Sequence, residues 1–152
     1  MKVTSKLITL ILLTNLLLFS NILTTVAAEG WTKNSRGWRY QLSEDVYVRS
    51  EWRLIGGKYY YFDRSNYMLS NAWLTDSKKN SYFLTADGSM ATGWVQDNGY
   101  WYYTNSSGAM VTGWLQYKNN WYYLNNDGSM ETERLLTANK VYYFNSSGVW
   151  IK

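Results

Sequence analysis

Two patterns of apolar and polar positions divide the chain. From Leu7 to Phe19 the side chains are apolar apart from Thr9, Thr14 and Asn15. Lys2 and Lys6 flank this run on one side; Ser20, Asn21 and then the small residues Val26, Ala27 and Ala28 follow on the other. A basic start, a short apolar run and a small-residue site make an export signal over 1–28, with cleavage expected before Glu29. The run is short for a full membrane span, so an uncleaved anchor is the lesser alternative, and no membrane insertion is expected once the signal is removed.

From residue 29 onward the apolar positions come in short aromatic groups separated by turn-forming residues. Gly93-Trp94 opens one strand, Asp97-Asn98-Gly99 turns it, and Trp101-Tyr102-Tyr103-Thr104 forms the return strand. Asn105-Ser106-Ser107-Gly108 then closes the hairpin. Its glycine suits a positive φ. The next stretch repeats this design, with Lys118-Asn119-Asn120 as its inner turn and Asn125-Asn126-Asp127-Gly128 as its closing turn. Helices have no place in this pattern outside 1–28. A lone hairpin is unstable in water, so the rings must be buried by stacking hairpin on hairpin. The predicted architecture is all-β, a solenoid of stacked hairpins.

The repeat has a period of twenty residues: Trp94 and Trp114, Trp101 and Trp121, Tyr102 and Tyr122, Tyr103 and Tyr123, Gly108 and Gly128, Met110 and Met130 recur in register. Downstream, Tyr142, Tyr143, Gly148 and Trp150 keep the register, while Arg134 and Val141 replace the two tryptophans. Upstream, the unit opened by Trp73 has one extra residue and Ser81 in its second tryptophan position. Trp52 with Tyr59, Tyr60 and Tyr61 marks another unit, and Trp31 with Trp38 and Tyr40 the first. About six units result, over 29–50, 51–71, 72–92, 93–112, 113–132 and 133–152. They leave no stretch of 29–152 for a separate catalytic domain.

Composition narrows the function. Two of the 15 basic residues and none of the 11 acidic ones fall within 1–28, leaving a net charge of +2 for 29–152. That is no electrostatic footprint for nucleic acid. No cysteine supplies a disulfide, so stability rests on the nine Trp, the fifteen Tyr and the three Phe that lie outside 1–28. No histidine offers a base or a metal ligand, and Asp87 and Asp127 read as turn residues beside glycine. No catalytic residues, cofactor or metal site are expected, and the module is read as binding without catalysis.

Along a strand Trp101 and Tyr103 share one face and Tyr102 the other. The column Tyr102, Tyr122, Tyr142 is read as core. The paired tryptophans are read as a concave aromatic site that recurs along the array. A sugar stacked there would also need convergent polar groups. A quaternary ammonium needs only electron-rich faces. The charged residues vary from unit to unit, which favours the cation.

The run GW-x6-WYY-x4-G-x-M-x-T-G-W over Gly93–Trp114 resembles the choline-binding, or cell-wall-binding, repeat of Gram-positive surface proteins and their phages. The resemblance extends over about 29–152 and is closest in 93–132. It implies hairpins stacked into a left-handed superhelix. It also implies cages made by the two tryptophans of one repeat and the second tyrosine of the next WYY run. Carried over, the cages are Trp94, Trp101 and Tyr123; Trp114, Trp121 and Tyr143; and Trp31, Trp38 and Tyr61. Trp52, Tyr59 and Phe83 would make a weaker one. At Trp73, with Tyr103, the wall is lost to Ser81. The methionine column Met90, Met110, Met130 reads as filler between hairpins, with lining of the pockets as the lesser alternative.

The implied ligand is choline, or phosphocholine on teichoic or lipoteichoic acid. The implied location is secreted and bound to the cell wall. Glycan binding is the main rival, because related repeats in glucosyltransferases bind glucans and the units with Tyr59 and Val141 lack the second tryptophan. A surface adhesin anchored through choline, with a host or bacterial protein partner, is compatible with either. A homodimer through the terminal hairpins, with Trp150 as a contact, is left open by family analogy.

Overall fold

A computed structural model describes residues 28–151; the export signal expected over 1–28 lies outside the described residues, save Ala28. The described chain is all-β. Its strands are β1 (Gly30–Asn34), β2 (Gly37–Ser43), β3 (Val46–Tyr47), β4 (Glu51–Ile55), β5 (Lys58–Phe62), β6 (Ala72–Thr75) and β7 (Ser81–Leu84). They continue with β8 (Gly93–Asp97), β9 (Tyr100–Thr104), β10 (Gly113–Tyr117), β11 (Asn120–Leu124), β12 (Arg134–Leu136), β13 (Val141–Phe144) and β14 (Trp150–Ile151). Consecutive strands pair antiparallel into successive hairpins, and β3 and β14 add a third strand to the first and last of them.

The inner turns are set by local chemistry. In β8–β9, Asp97 pairs with Tyr100, leaving Asn98 and Gly99 as a two-residue loop with φ of 49° and 85°. Both central residues at positive φ make a type I′ turn, whose twist matches that of the flanking strands. In β10–β11 the loop is Lys118-Asn119, with φ of 46° and 66°, and Asn120 already lies in the return strand opposite Tyr117. Asn120 therefore belongs to the strand and not, as expected, to the turn. The unit at Trp73 differs. Thr75 pairs with Ser81 across five residues, and Asp76 accepts hydrogen bonds from the backbone amides of Lys78 and Asn80 at 2.8 and 2.9 Å.

Each closing turn ties its hairpin to the one before. The Met130 amide donates to the Trp101 carbonyl at 2.7 Å, and the Met110 and Met90 amides donate to Ser81 and Tyr59 at 2.8 Å each. The turn glycine then seats on the methionine of the preceding turn. Gly108 has φ of 82°, and a Cβ there would overlap the Met90 thioether. Both the positive φ and the close approach require glycine at this position. The polar turn residues also close on themselves. Asn105 Oδ1 accepts from the Ser107 and Ala109 amides at 2.9 and 3.1 Å.

The buried column is the residue just after each aromatic pair. Phe62, Leu84, Thr104 and Leu124 are fully buried and Phe144 nearly so. Thr104 is tolerated there because its hydroxyl donates to the Ala91 carbonyl at 3.0 Å, so no polar group is left unpaired. These residues share strand parity with Tyr82, Tyr102, Tyr122 and Tyr142. Those tyrosines are half-buried; for Tyr102, Tyr122 and Tyr142 this departs from the closed core expected of them.

Candidate functional site

The first strand of each hairpin supplies one ring and the second strand another. In β8–β9, Trp94 and Trp101 stand 6.4 Å apart with planes at 85°. The corresponding pairs Trp31–Trp38 and Trp114–Trp121 repeat this at 6.2 Å and 85°, and 6.2 Å and 81°. Two orthogonal indoles on one face make a corner. The outer indoles stay open to solvent, with Trp101 42 % and Trp121 38 % exposed.

The following hairpin supplies the third wall. Tyr60 lies 4.9 Å from Trp31, Tyr122 4.9 Å from Trp94 and Tyr142 4.9 Å from Trp114, all close to perpendicular. Tyr82 takes the same place beside Trp52 at 5.3 Å. This corrects the sequence expectation, which gave the third wall to the next tyrosine along. Tyr61, Tyr123 and Tyr103 instead face Trp52, Trp114 and Trp94 across the strands of their own hairpins, at 5.4, 5.3 and 5.2 Å. Tyr143 is 57 % exposed and pairs with Arg134, and Phe83 is buried opposite Trp73. The physical reason is parity. Hairpins stacked one after another bring the Trp face of one against the opposite face of the next. The ring that meets Trp94 must therefore alternate with Trp121 and Tyr123 along β11, which selects Tyr122.

Four cavities follow from this arrangement. Trp31, Trp38, Tyr60, Met68 and Asp87 line one of about 340 Å³. Trp94, Trp101, Tyr122, Met130, Ser146 and Ser147 line one of about 420 Å³. Trp52, Tyr59, Tyr82, Met90, Ser106 and Ser107 line one of about 430 Å³. Trp114, Trp121, Tyr142, Lys140 and Trp150 line one of about 350 Å³. Each suits a small head group. The methionines thus line cavities as well as filling gaps. The serines and Asp87 come from a closing turn two hairpins further on, a contribution that no local reading of the sequence supplies.

The polar groups at these cavities hold defined states. Burial, then the Asp76 carboxylate, push the Tyr82 hydroxyl above the usual phenol range, and burial likewise raises Tyr102, which lies outside the cavities beside Trp73. Both stay neutral at physiological pH. Hydrogen bonds from Ser89 and Thr85 hold the Asp87 carboxyl well below the usual carboxylate range, and Lys58 Nζ pairs with it at 3.0 Å. Among the described residues no cluster of His, Cys, Asp and Glu forms a metal site. The chemistry on offer is a set of ring faces that attract a soft, weakly hydrated cation.

The site at Trp73 is different. Ser81 leaves its corner without a second ring, and the Trp73 indole donates to Asp97 Oδ2 at 3.2 Å. Trp73 and Tyr102, 5.1 Å apart, pack against buried Phe83, Ala91 and Val95. Tyr103, expected at this site, faces Trp94.

The sequence profile of the choline-binding repeat matches residues 91–135, and that of the cell wall binding repeat matches 50–65, 71–90 and 137–149. CbpJ of Streptococcus pneumoniae TIGR4 is 35 % identical with a TM-score of 0.73, over 82 % of this chain and 42 % of CbpJ. Choline binding protein F of Streptococcus pneumoniae is 38 % identical with a TM-score of 0.71, over 82 % of this chain and 42 % of that protein. A multimodular pneumococcal cell wall endolysin from phage Cp-1, solved with choline, is 41 % identical with a TM-score of 0.61, over 82 % of this chain and 37 % of the endolysin. Glucosyltransferase-S of Streptococcus mutans is 37 % identical over 75 residues, which are 47 % of this chain and 5 % of the enzyme. The chain thus spans less than half the length of each of these relatives. Repeat sequence, hairpin order and ring geometry agree: the chain belongs to the choline-binding repeat family.

Proposed function

We propose that residues 28–151 attach their protein to a surface that displays choline, as phosphocholine on cell-wall teichoic acid, by binding and without catalysis. The supporting observation is the recurrent corner of two indoles with a tyrosine 4.9 Å away from the next hairpin, present at Trp31, Trp94 and Trp114. A trimethylammonium group fits ring faces because it is weakly hydrated and spreads its charge over methyl groups. Each contact contributes about 0.5–2 kcal/mol, so a single cage holds its ligand weakly. Several cages on one chain convert weak sites into firm, reversible attachment through effective concentration. The cages would be Trp31–Trp38–Tyr60, Trp94–Trp101–Tyr122 and Trp114–Trp121–Tyr142, with Trp52–Tyr59–Tyr82 as a fourth that has tyrosine for an outer wall.

A second reading is binding of a glucan. The likeness to glucosyltransferase-S favours it, as do the serine hydroxyls that line two of the cavities. Titration with choline and, separately, with a soluble glucan, followed by tryptophan fluorescence, separates the two. The choline reading expects a saturable choline response that is lost in the double variant Trp94→Ala, Trp114→Ala. A glucan response without a choline response reverses the ranking.

A further inference from the structure

The last of the four cages is lined by a cationic side chain, and the other three are not. Lys140 lines it, with Nζ 4.7 Å from the centroid of Tyr142 and 5.5 Å from that of Trp150. Trp150 stands where earlier turns carry Met90, Met110 and Met130, so this cage has four rings. In the cages at Trp52 and Trp94 the polar lining is instead neutral serines, from a closing turn two hairpins further on. In the cage at Trp31 it is the Asp87 carboxylate, already paired with Lys58. Lys33 also lies over a cage ring, 5.2 Å from Trp38, but it does not line that cavity.

The turn that carries Lys140 is built to present it. Leu136 pairs with Val141, so four residues replace the two-residue loops of the two preceding hairpins. Thr137 pins the lysine backbone. Its Oγ1 donates to the Lys140 carbonyl at 2.8 Å and accepts from the Lys140 amide at 3.1 Å, and its own amide donates to that carbonyl at 2.9 Å. The ion pairs among the described residues engage Arg53 and Lys58, so this ammonium brings its charge to the cage uncompensated.

We propose, resting on the choline reading above, that Lys140 makes the terminal cage selective for a zwitterion of the phosphocholine type over a bare quaternary ammonium. The lysine ammonium already occupies two of the ring faces. A second cation held about 5 Å away is repelled, which weakens its binding by about fourfold even with full water screening and by more where the rings exclude water. A phosphate joined to the incoming ammonium removes that penalty, because it pairs with the flexible lysine head while the methyl groups face Trp114 and Trp121. The last cage among the described residues then discriminates between free choline and the phosphate-bearing form on a polymer.

The test is a titration of the described module labelled with fluorotryptophan, using choline and phosphocholine in turn and read by fluorine NMR. Trp121 reports the terminal cage and Trp101 an interior one. In the parent protein the choline midpoint at Trp121 should be at least fourfold higher than at Trp101, and the phosphocholine midpoint should not be. Lys140→Gln should lower the choline midpoint at Trp121 about fourfold or more and raise that for phosphocholine. Lys140→Arg should retain the parent preference, and Trp101 should be unchanged throughout. Unchanged Trp121 midpoints in Lys140→Gln, with Trp101 still responding, overturn the inference alone. If neither indole responds to either ligand, the choline reading and this inference fall together.

Discussion

The interfaces at Trp94 and at Trp73 use the same frame and reach different ends. Each places a first-strand tryptophan about as far from a tyrosine of the next hairpin, 4.9 Å for Trp94–Tyr122 and 5.1 Å for Trp73–Tyr102. The last residue of the next hairpin's first strand then meets each indole. At Trp94 it is Tyr117, a ring 6.0 Å away; at Trp73 it is Asp97, which accepts the indole hydrogen bond. The return strand differs too, with Trp101 in one and Ser81 in the other. Without the outer ring there is no cavity wall, and Trp73 settles onto Phe83, Ala91 and Val95 as core. A repeat unit of this kind can therefore serve ligand or stability, and the residues at the second-ring position and at the end of the next first strand differ between the two outcomes.

The largest expected effect lies on the core side of that comparison. Trp73→Ala should destabilise the module by about 3 kcal/mol, the scale for truncating a large ring in a packed site. Thermal or denaturant unfolding measures it, and choline binding per folded molecule should change little. On the cage side the balance reverses. Trp101→Ala should shift stability by less than about 1 kcal/mol while weakening the Trp94 cage by roughly 2- to 30-fold, the equivalent of one cation–π contact. Tyr122→Ala should weaken the same cage and Tyr123→Ala should not. Equal losses in calorimetric titration would refute the assigned third wall.

Ser81→Trp sharpens the comparison from the other direction. Ser81 occupies the register position of Trp101, opposite Thr75 as Trp101 is opposite Gln96. Restoring the ring should add one choline site by calorimetric stoichiometry, with an affinity within roughly tenfold of the Trp94 cage. An unchanged site count would show that the five-residue turn or the Asp97 contact, and not the missing ring, closes this interface.

The smallest effect concerns the turn that joins the closed unit to the first cage. Asp87 is held below its ordinary pKa by Ser89 and Thr85, so folded chains keep it ionised where unfolded chains take up a proton. Its contribution is complete above the unfolded value of about 3.9 and is lost as pH falls from there toward the folded value. Asp87→Asn should flatten the fall in unfolding stability below about pH 4 and leave the profile near neutrality unchanged.

Much of this could be read in the chain. The twenty-residue period, the Gly-bearing turns and the two tryptophans per unit are local signals. The weakness of the unit at Trp73 was legible in Ser81. The third wall was also within reach but was misread. Phe62, Leu84, Leu124 and Phe144 form an apolar column with the parity of Tyr60, Tyr82, Tyr122 and Tyr142, and that parity marks the face that turns toward the preceding hairpin. Following the column selects Tyr122 over Tyr123. The rim residues were not legible. Ser106, Ser107, Ser146 and Ser147 read as turn residues, and nothing nearby in sequence says that they face a cage two hairpins earlier.

The sequence alone therefore determined the hairpins, their number of rings and the places where a ring is missing. These follow from backbone preference, alternation along a strand and turn chemistry, all of which act over a few residues. Which rings meet was decided by tertiary structure, because it depends on how one hairpin is carried onto the next. So was the choice of Asp87, serine or Lys140 at each rim. Those contacts join residues about one to three repeat lengths apart, where local preference has no hold and only stacking brings the side chains together.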